Sequence, residues 1–319
     1  MEKKFDCLVC GTAVVDAIVK PVPLEEPIGK GKLLHVGPLA VTTGGLVCNA
    51  GMAMRKLGLK VSSVGLVGHD FWGEFISSAL SREDIDTTGL KILESTSTSS
   101  TAVFIDVSGE RTFAHHVGSC AKLNSDFIYD HLGHFSKSQY ALIGYVGLLP
   151  ELEPNLFEVL REIQNTGCRV AVETAGDGGS LECVASALPY IDYFVPSFDE
   201  AKNQTGIEDP RGILQFYRSL GARGLIGVKM GSEGTILSPS HGEYIQVPCV
   251  GAPGPVVDTT GAGDSWLAGF LAGILREQNV YQSALLGAAT AACCVTGLGA
   301  TDGLRDFDQT QHLIEGILP

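Results

Sequence analysis

Val256-Val257-Asp258-Thr259-Thr260-Gly261-Ala262-Gly263-Asp264-Ser265-Trp266-Leu267-Ala268-Gly269-Phe270-Leu271-Ala272-Gly273-Ile274-Leu275-Arg276 reads as a loop feeding the start of a helix. Trp266, Phe270 and Ile274 fall four apart, as do Leu267, Leu271 and Leu275; the two rows make one apolar stripe at helical period. Ala268, Gly269, Ala272 and Gly273 keep a neighbouring face small enough for close packing. Gly261, Ala262 and Gly263 stand where the helix begins. The first amides of a helix lack partners within it, and the helix dipole is positive at that end. Small residues there let an anion approach those amides. Asp264 follows at once, a carboxylate at the rim of an anion site. Such a pairing suits phosphoryl transfer to a hydroxyl: the carboxylate takes the proton, and the amides stabilise charge on the transferring group. The plainer alternative is a Gly turn with a capping Asp. Two other motifs are excluded. The dinucleotide fingerprint needs a third Gly where Trp266 stands, and no Walker Gly-x-x-x-x-Gly-Lys-Ser/Thr occurs.

The run Asp258 to Ser265 resembles the C-terminal signature of the ribokinase-like carbohydrate kinases, the PfkB family. A second stretch agrees with it. Thr42-Thr43-Gly44-Gly45-Leu46-Val47-Cys48-Asn49 is a Gly-Gly turn opening a helix that ends near Leu57-Gly58. It is similar to the family's N-terminal signature, Gly-Gly followed by Asn. The resemblance makes Gly44, Gly45 and Asn49 sugar contacts. Glycines let a substrate reach the backbone, and an Asn amide both donates to and accepts from hydroxyls. Asp16 matches the family's Asp that grips sugar hydroxyls.

The whole chain is compatible with this. Its 319 residues are 45% hydrophobic and 18% charged, enough for one large α/β domain with a sizeable core. A net charge of -14 argues against nucleic-acid or anionic-membrane partners. No apolar run approaches a membrane helix in length. The start, Met1-Glu2-Lys3-Lys4-Phe5-Asp6, leads into an ordinary strand rather than a signal peptide, so a cytoplasmic setting is expected. Nine scattered cysteines include one Cys-x-x-Cys, Cys7 and Cys10, on an expected strand. Residues three apart on a strand face opposite ways, so no shared metal is expected there.

Taken in order, Phe5 to Ile18 reads as one buried strand, and Pro21, Pro23 and Pro27 with Gly29 and Gly31 mark a loop. Val61 to Val67 is a strand, and Asp70 caps the helix after it. Thr101 to Val107 and Arg111 to His116 flank Ser108-Gly109-Glu110 as a β-hairpin. The adjacent His115 and His116 read as lid packing. From Ala141 the rhythm is strand and helix in turn: strands 141–146, 169–173, 190–195 and 225–229, helices 151–165, 180–187, 199–204 and 210–220. Helix 281–295 follows the signature. Alternation predicts a parallel sheet with helices on both faces and ligands at the strands' carboxyl ends. The residues there are Glu173, Pro196 to Glu200, and Lys229 to Gly234.

The resemblance covers nearly the whole chain and implies a single ribokinase-like domain over 1–319. Its fold is a three-layer α/β/α sandwich with a mainly parallel central sheet. A small β-sheet lid draws its strands from about 12–43 and 98–118. It implies an ATP-dependent kinase with Asp264 as base and the amides of Gly261, Ala262 and Gly263 as anion hole. Glu200 matches the Glu of the family's Asn-x-x-Glu motif, which organises Mg2+ around the phosphates; Ser197 replaces its Asn. Lys229, Gly231, Ser232 and Gly234 match the segment that holds nucleotide ribose and phosphates. Asp258, Thr260, Cys294, Gly297, Gly299 and Gly303 match the family's potassium cage. The Glu with which ribokinases contact the sugar aligns best with Gly147. A keto-sugar acid, a fructose-like sugar and a nucleoside are all compatible acceptors. A non-catalytic sugar or nucleotide sensor would not need Asp264. A homodimer through the lid is also implied.

Overall fold

The computed structural model describes residues 3–25, 29 and 31–317. Pro27, one of the loop prolines, lies outside them. The strands in chain order are β1 (Phe5–Gly11), β2 (Val14–Val19), β3 (Ala40–Gly44), β4 (Val61–Gly68), β5 (Asp86–Leu93), β6 (Ser99–Ile105) and β7 (Arg111–His116). They continue with β8 (Ser138–Val146), β9 (Arg169–Thr174), β10 (Tyr193–Phe194), β11 (Leu225–Lys229), β12 (Thr235–Ser238) and β13 (Ile245–Val247). Among the described residues, nine of them form one sheet in the order β13-β12-β11-β10-β9-β8-β1-β4-β5. Every pairing from β11 to β5 is parallel; β12 and β13 add an antiparallel edge.

The inner strands of this sheet are buried on both faces, and their alternation sends side chains to two cores. Cys7 and Val9 of β1 join the core with helices Gly45–Lys56, Ala262–Leu275 and Val280–Cys294; Leu8 and Cys10 join the other, with helices Leu156–Asn165 and Pro210–Ser219. Cys7 and Cys10 therefore lie on opposite sides of the sheet, as the strand period requires. The signature helix packs against its neighbour through small residues: Gly269 faces Thr290 and Gly273 faces Ser283. Leu267, Phe270 and Leu271 are fully buried, each contributing about 1.5–3 kcal/mol by leaving water. Among the described residues no helix is long and apolar enough to cross a membrane.

Among the described residues four strands form the lid sheet, in the order β3-β2-β6-β7. β2 pairs antiparallel with β3 and parallel with β6, and β6 pairs antiparallel with β7. Ile18, Val103 and Ile105 give the lid a small core of its own.

Some expected boundaries move. Phe5 to Ile18 is not one strand: the chain breaks at Thr12-Ala13, where the Thr12 amide donates to Gly144 O at 2.9 Å, and then crosses into the lid. Helix 151–165 begins later, at Leu156, after a 3₁₀ turn over Glu153–Asn155. Pro154 has no amide proton to carry a helix through that turn. Strand 190–195 shrinks to Tyr193–Phe194.

Candidate active site

The signature loop ends at Gly261, which caps helix Ala262–Leu275 with φ 74°. A Cβ on Gly261 would come within 2.3 Å of Ala300 Cβ, so both its backbone and its surroundings call for glycine. The Ala262 amide donates a long 3.3 Å bond to Thr259 O, and the helix start lies just ahead of it. Asp264, in the first turn, is only 3% exposed. Its Oδ2 accepts from the Tyr145 hydroxyl at 2.5 Å and from Asn49 Nδ2 at 2.8 Å. Burial pushes the Asp264 carboxyl above its ordinary range, while Tyr145, Asn49 and the Lys229 ammonium pull the other way.

Asp264 opens into a cavity of about 580 Å³. Asp16, Gly45 and Asn49 line it, with Thr101, Phe113 and His115 of the lid, Tyr145 near the end of β8 and Leu148 just after that strand. A Cβ on Gly44 would meet Asp16 Oδ2 at 2.2 Å, so Gly44 makes room for that carboxylate. Burial lifts the Asp16 carboxyl to about 6, eased by Thr101 and raised further by Asp258. Asn49 Oδ1 is buried with no hydrogen-bond partner. Two residues read otherwise from sequence belong here. His115 is cavity wall, with Nδ1 3.0 Å from Thr101 Oγ1. Tyr145 was hidden inside an apolar strand. Gly147 is not part of the wall; its amide donates to Glu153 Oε1 at 2.9 Å.

A second cavity, of about 530 Å³, lies on the other side of the same loop. Ser197, Lys229, Gly231, Ser232 and Gly234 line it, as expected from sequence. Cys249, Val250, Ala252, Val256 and Trp266 add an apolar wall, with Ala288, Ala291, Ala292 and Val295 from the following helix. Those last four repeat at helical spacing, a signal legible as a helix face but not as a pocket. Thr259, Ala262 and Gly263 line both cavities, so the signature loop is their common wall.

Beneath that wall, Lys229 Nζ lies 2.5 Å from Glu173 Oε1, with Glu173 buried and Lys229 half-buried. A Cβ on Gly263 would sit 3.1 Å from that oxygen and 3.2 Å from the ammonium, which puts the pair against the first turn of the signature helix. Burial pushes Glu173 up to about 8 against the pull of Lys229, with Glu200 and Asp264 adding to the rise. Glu200 Oε2 accepts from the Ser197 amide at 2.8 Å and from Thr174 Oγ1 at 3.0 Å. Ser197 Oγ in turn accepts from the Glu200 amide at 3.3 Å, closing a capping box at helix Phe198–Thr205. Ser and Asn are both favoured N-caps, which accounts for Ser197 where the family motif has Asn.

Three carboxyls here, Glu173, Glu200 and Asp264, face one ammonium, and Glu173 Oε2 is buried without a partner. The region is short of positive charge. Among the described residues no three acidic or thiol groups form a complete metal cage. The uncompensated carboxyls fit Mg2+, which takes one or two carboxylates and completes its octahedron with water and substrate phosphates.

The potassium positions do not fit as the resemblance implies. Asp258 Oδ1 already accepts from the Thr260 amide at 2.8 Å and from Arg111 Nη2 at 2.7 Å, and Oδ2 accepts from the Gly299 amide at 2.9 Å. Burial works to raise this carboxyl, but those amides and the Arg111 guanidinium hold it below the usual range. Cys294 O accepts from the Gly297 amide at 3.2 Å, and Gly303 packs directly on Gly297. The Cys294 thiol donates to Ala300 O at 3.2 Å and lies 3.4 Å from Thr260 O. Both Asp258 oxygens and the Cys294 carbonyl, which a potassium ion would need, already accept hydrogen bonds from the protein itself.

A lid-covered parallel sheet, with two cavities meeting at a helix N-terminus, defines a small-molecule kinase of the ribokinase fold. Comparison with known proteins agrees. The model of the pfkB family of carbohydrate kinases matches residues 4–306. The chain is 30% identical to a fructokinase of Klebsiella pneumoniae over 278 residues, 83% of each chain. It is 24% identical to a ribokinase of Haemophilus influenzae, covering 96% of this chain and 97% of that one. The structure of Arabidopsis thaliana ribokinase complexed with ribose and ATP superposes with a TM-score of 0.84 at 23% identity, covering 99% of both chains. This chain belongs to the pfkB family of carbohydrate kinases, enzymes that phosphorylate sugars at the expense of ATP.

Proposed function

We propose that the chain, acting as one kinase domain, phosphorylates a hydroxyl of a small sugar or sugar-like molecule, with Asp264 as general base. The observation that carries this reading is the shared wall: Thr259, Ala262 and Gly263 border both cavities, and Asp264 opens into one of them. An acceptor in the lid-side cavity would have Asp16 and the Asn49 carboxamide to hydrogen-bond its hydroxyls. ATP in the other cavity would lay its base on the alanine-lined wall and its phosphates along Lys229 and Gly231 to Gly234. The amides at Gly261 to Gly263 would stabilise charge on the phosphoryl group in flight. Mg2+, held by Glu200, would neutralise phosphate charge on a protein of net charge -14.

Asp264 would take the proton from the attacking hydroxyl. Tyr145 and Asn49 hold its Oδ2, which leaves Oδ1 for the substrate. A nucleoside is the second reading, favoured by the aromatic wall of Phe113, His115 and Tyr145. A homodimer through the lid belongs to the same reading, supported by the exposed Leu39 and Val41 there.

The test is ADP release on a panel of ketoses, aldoses, sugar acids and nucleosides, for the native chain and Asp264→Asn. The variant keeps shape and nucleotide binding but loses about 10²- to 10⁴-fold in kcat. Equal turnover by the variant would remove Asp264 from the chemistry.

A further inference from the structure

Arg111 opens β7, a lid strand, with its backbone paired opposite Ile105. Its guanidinium leaves the lid and lands on the signature loop. Nη2 is 2.7 Å from Asp258 Oδ1, and Nη1 is 3.1 Å from Thr260 Oγ1 and 3.3 Å from Thr259 Oγ1. Asp258 is buried and Arg111 largely so, with side-chain exposures of 3% and 19%. Three successive loop residues are thus fastened from the lid, and the next residue is Gly261, where the anion hole begins. On the far side, the Gly299 amide ties the other Asp258 oxygen to the loop after the last large helix.

We infer that Arg111 is a built-in cation. It supplies, from the lid, the positive charge that a monovalent metal ion would otherwise bring to Asp258, and it acts as a positioning residue for the anion-hole amides. The chemistry suits the task. A guanidinium is charged at every working pH, and its planar fork meets a carboxylate and two hydroxyls at once. A potassium ion would have to compete for an oxygen that already accepts two donors. Because the charge is covalently part of the lid, lid placement and loop order are one event. A lid held away from the loop leaves Asp258 buried without its counter-charge, and the Gly261 to Gly263 amides lose their support. Closure over an acceptor therefore also completes the site that receives the phosphoryl group. An exchangeable ion could not make that link.

The catalytic half of the test rests on the kinase reading, so a second measurement needs no turnover. For the native chain, kcat is expected to agree within about twofold in potassium, sodium and tetramethylammonium chloride at equal ionic strength, because its cation is built in. Arg111→Ala in tetramethylammonium chloride should lose on the order of 10²-fold in kcat with little change in acceptor KM, the scale of losing one anion-hole donor. Guanidinium or potassium at tens of millimolar should restore a large part of it. By thermal unfolding, potassium should raise Tm over tetramethylammonium in Arg111→Ala and not in the native chain. Arg111→Met, which keeps the apolar stem, serves if the Ala variant does not fold. Selective potassium activation of the native chain would overturn the inference. So would a variant whose kcat and Tm ignore both added cations. If nothing turns over under any condition, the kinase reading fails, and the Tm comparison still decides the role of Arg111.

Discussion

Replacing Tyr145 by Phe removes one of two donors from Asp264 and leaves the ring in place. The hydroxyl lies 2.5 Å from Oδ2, which Asn49 Nδ2 shares at 2.8 Å. A hydrogen bond to a charged group is worth about 1.5–3 kcal/mol, and one pKa unit is about 1.36 kcal/mol. Tyr145 stabilises the ionised carboxylate, so its loss raises the Asp264 pKa by about 1–2 units. A general base works only when ionised. The acidic limb of kcat/KM against pH should therefore move to higher pH by that amount, and well above the limb the rate should change only a few-fold. Tyr145 itself stays protonated throughout, because burial, reinforced by Asp264, raises its pKa well above the ordinary value. No new basic limb is therefore expected in the native enzyme from this residue. The assay is coupled ADP release from pH 4.5 to 9, about the span that brackets a raised carboxyl. An acidic limb that stays in place in Tyr145→Phe would show that this hydrogen bond does not tune the base.

Asp16→Ala and Asn49→Ala should each raise KM for the acceptor on the order of 10-fold or more, because an unpaired partner costs about 1–3 kcal/mol, while KM for ATP stays nearly constant. A loss confined to ATP in initial-rate kinetics would put the acceptor in the wrong cavity. Glu173→Gln addresses the buried pair by thermal unfolding. The folded carboxyl is raised from 4.5 to about 8, so its contribution is full below the unfolded pKa and is lost as pH rises through the folded one. The native chain should lose about 1.4 kcal/mol per pH unit across that window from this group, and the Gln variant should not. A Tm difference between them that is constant from pH 5.5 to 8 contradicts the shift.

Much of the site was legible because its chemistry is local. Gly261 to Asp264 carry a helix start, an anion site and a carboxylate within four residues, and Gly44 to Asn49 carry another short pattern. What sequence hid was assembled across distance or masked by apolar runs. β1 and β2 read as one strand because apolar and β-branched residues continue through Thr12-Ala13, and only the bond to Gly144 marks the break. Tyr145 sits among strand residues whose period points to a core, and nothing local says that its hydroxyl reaches Asp264, 119 positions away. The apolar wall of the second cavity was a helix face whose partner could not be seen. Arg111 belonged to a hairpin, and its meeting with Asp258 is a product of topology, across 147 positions obtained as 258 − 111.

The shared wall divides the labour of recognition between separately built parts. Lid side chains from Asp16, Thr101, Phe113 and His115 line the lid-side cavity alone, and the lid keeps its own small core in Ile18, Val103 and Ile105. The alanine face of helix Val280–Cys294 faces the other cavity alone. Replacement of one set need not disturb the other, since only the short loop between them is common property. A lineage built this way can exchange acceptors by redrafting a few lid positions while its energy donor stays the same. The loop that both halves rely on is the part with least freedom to drift.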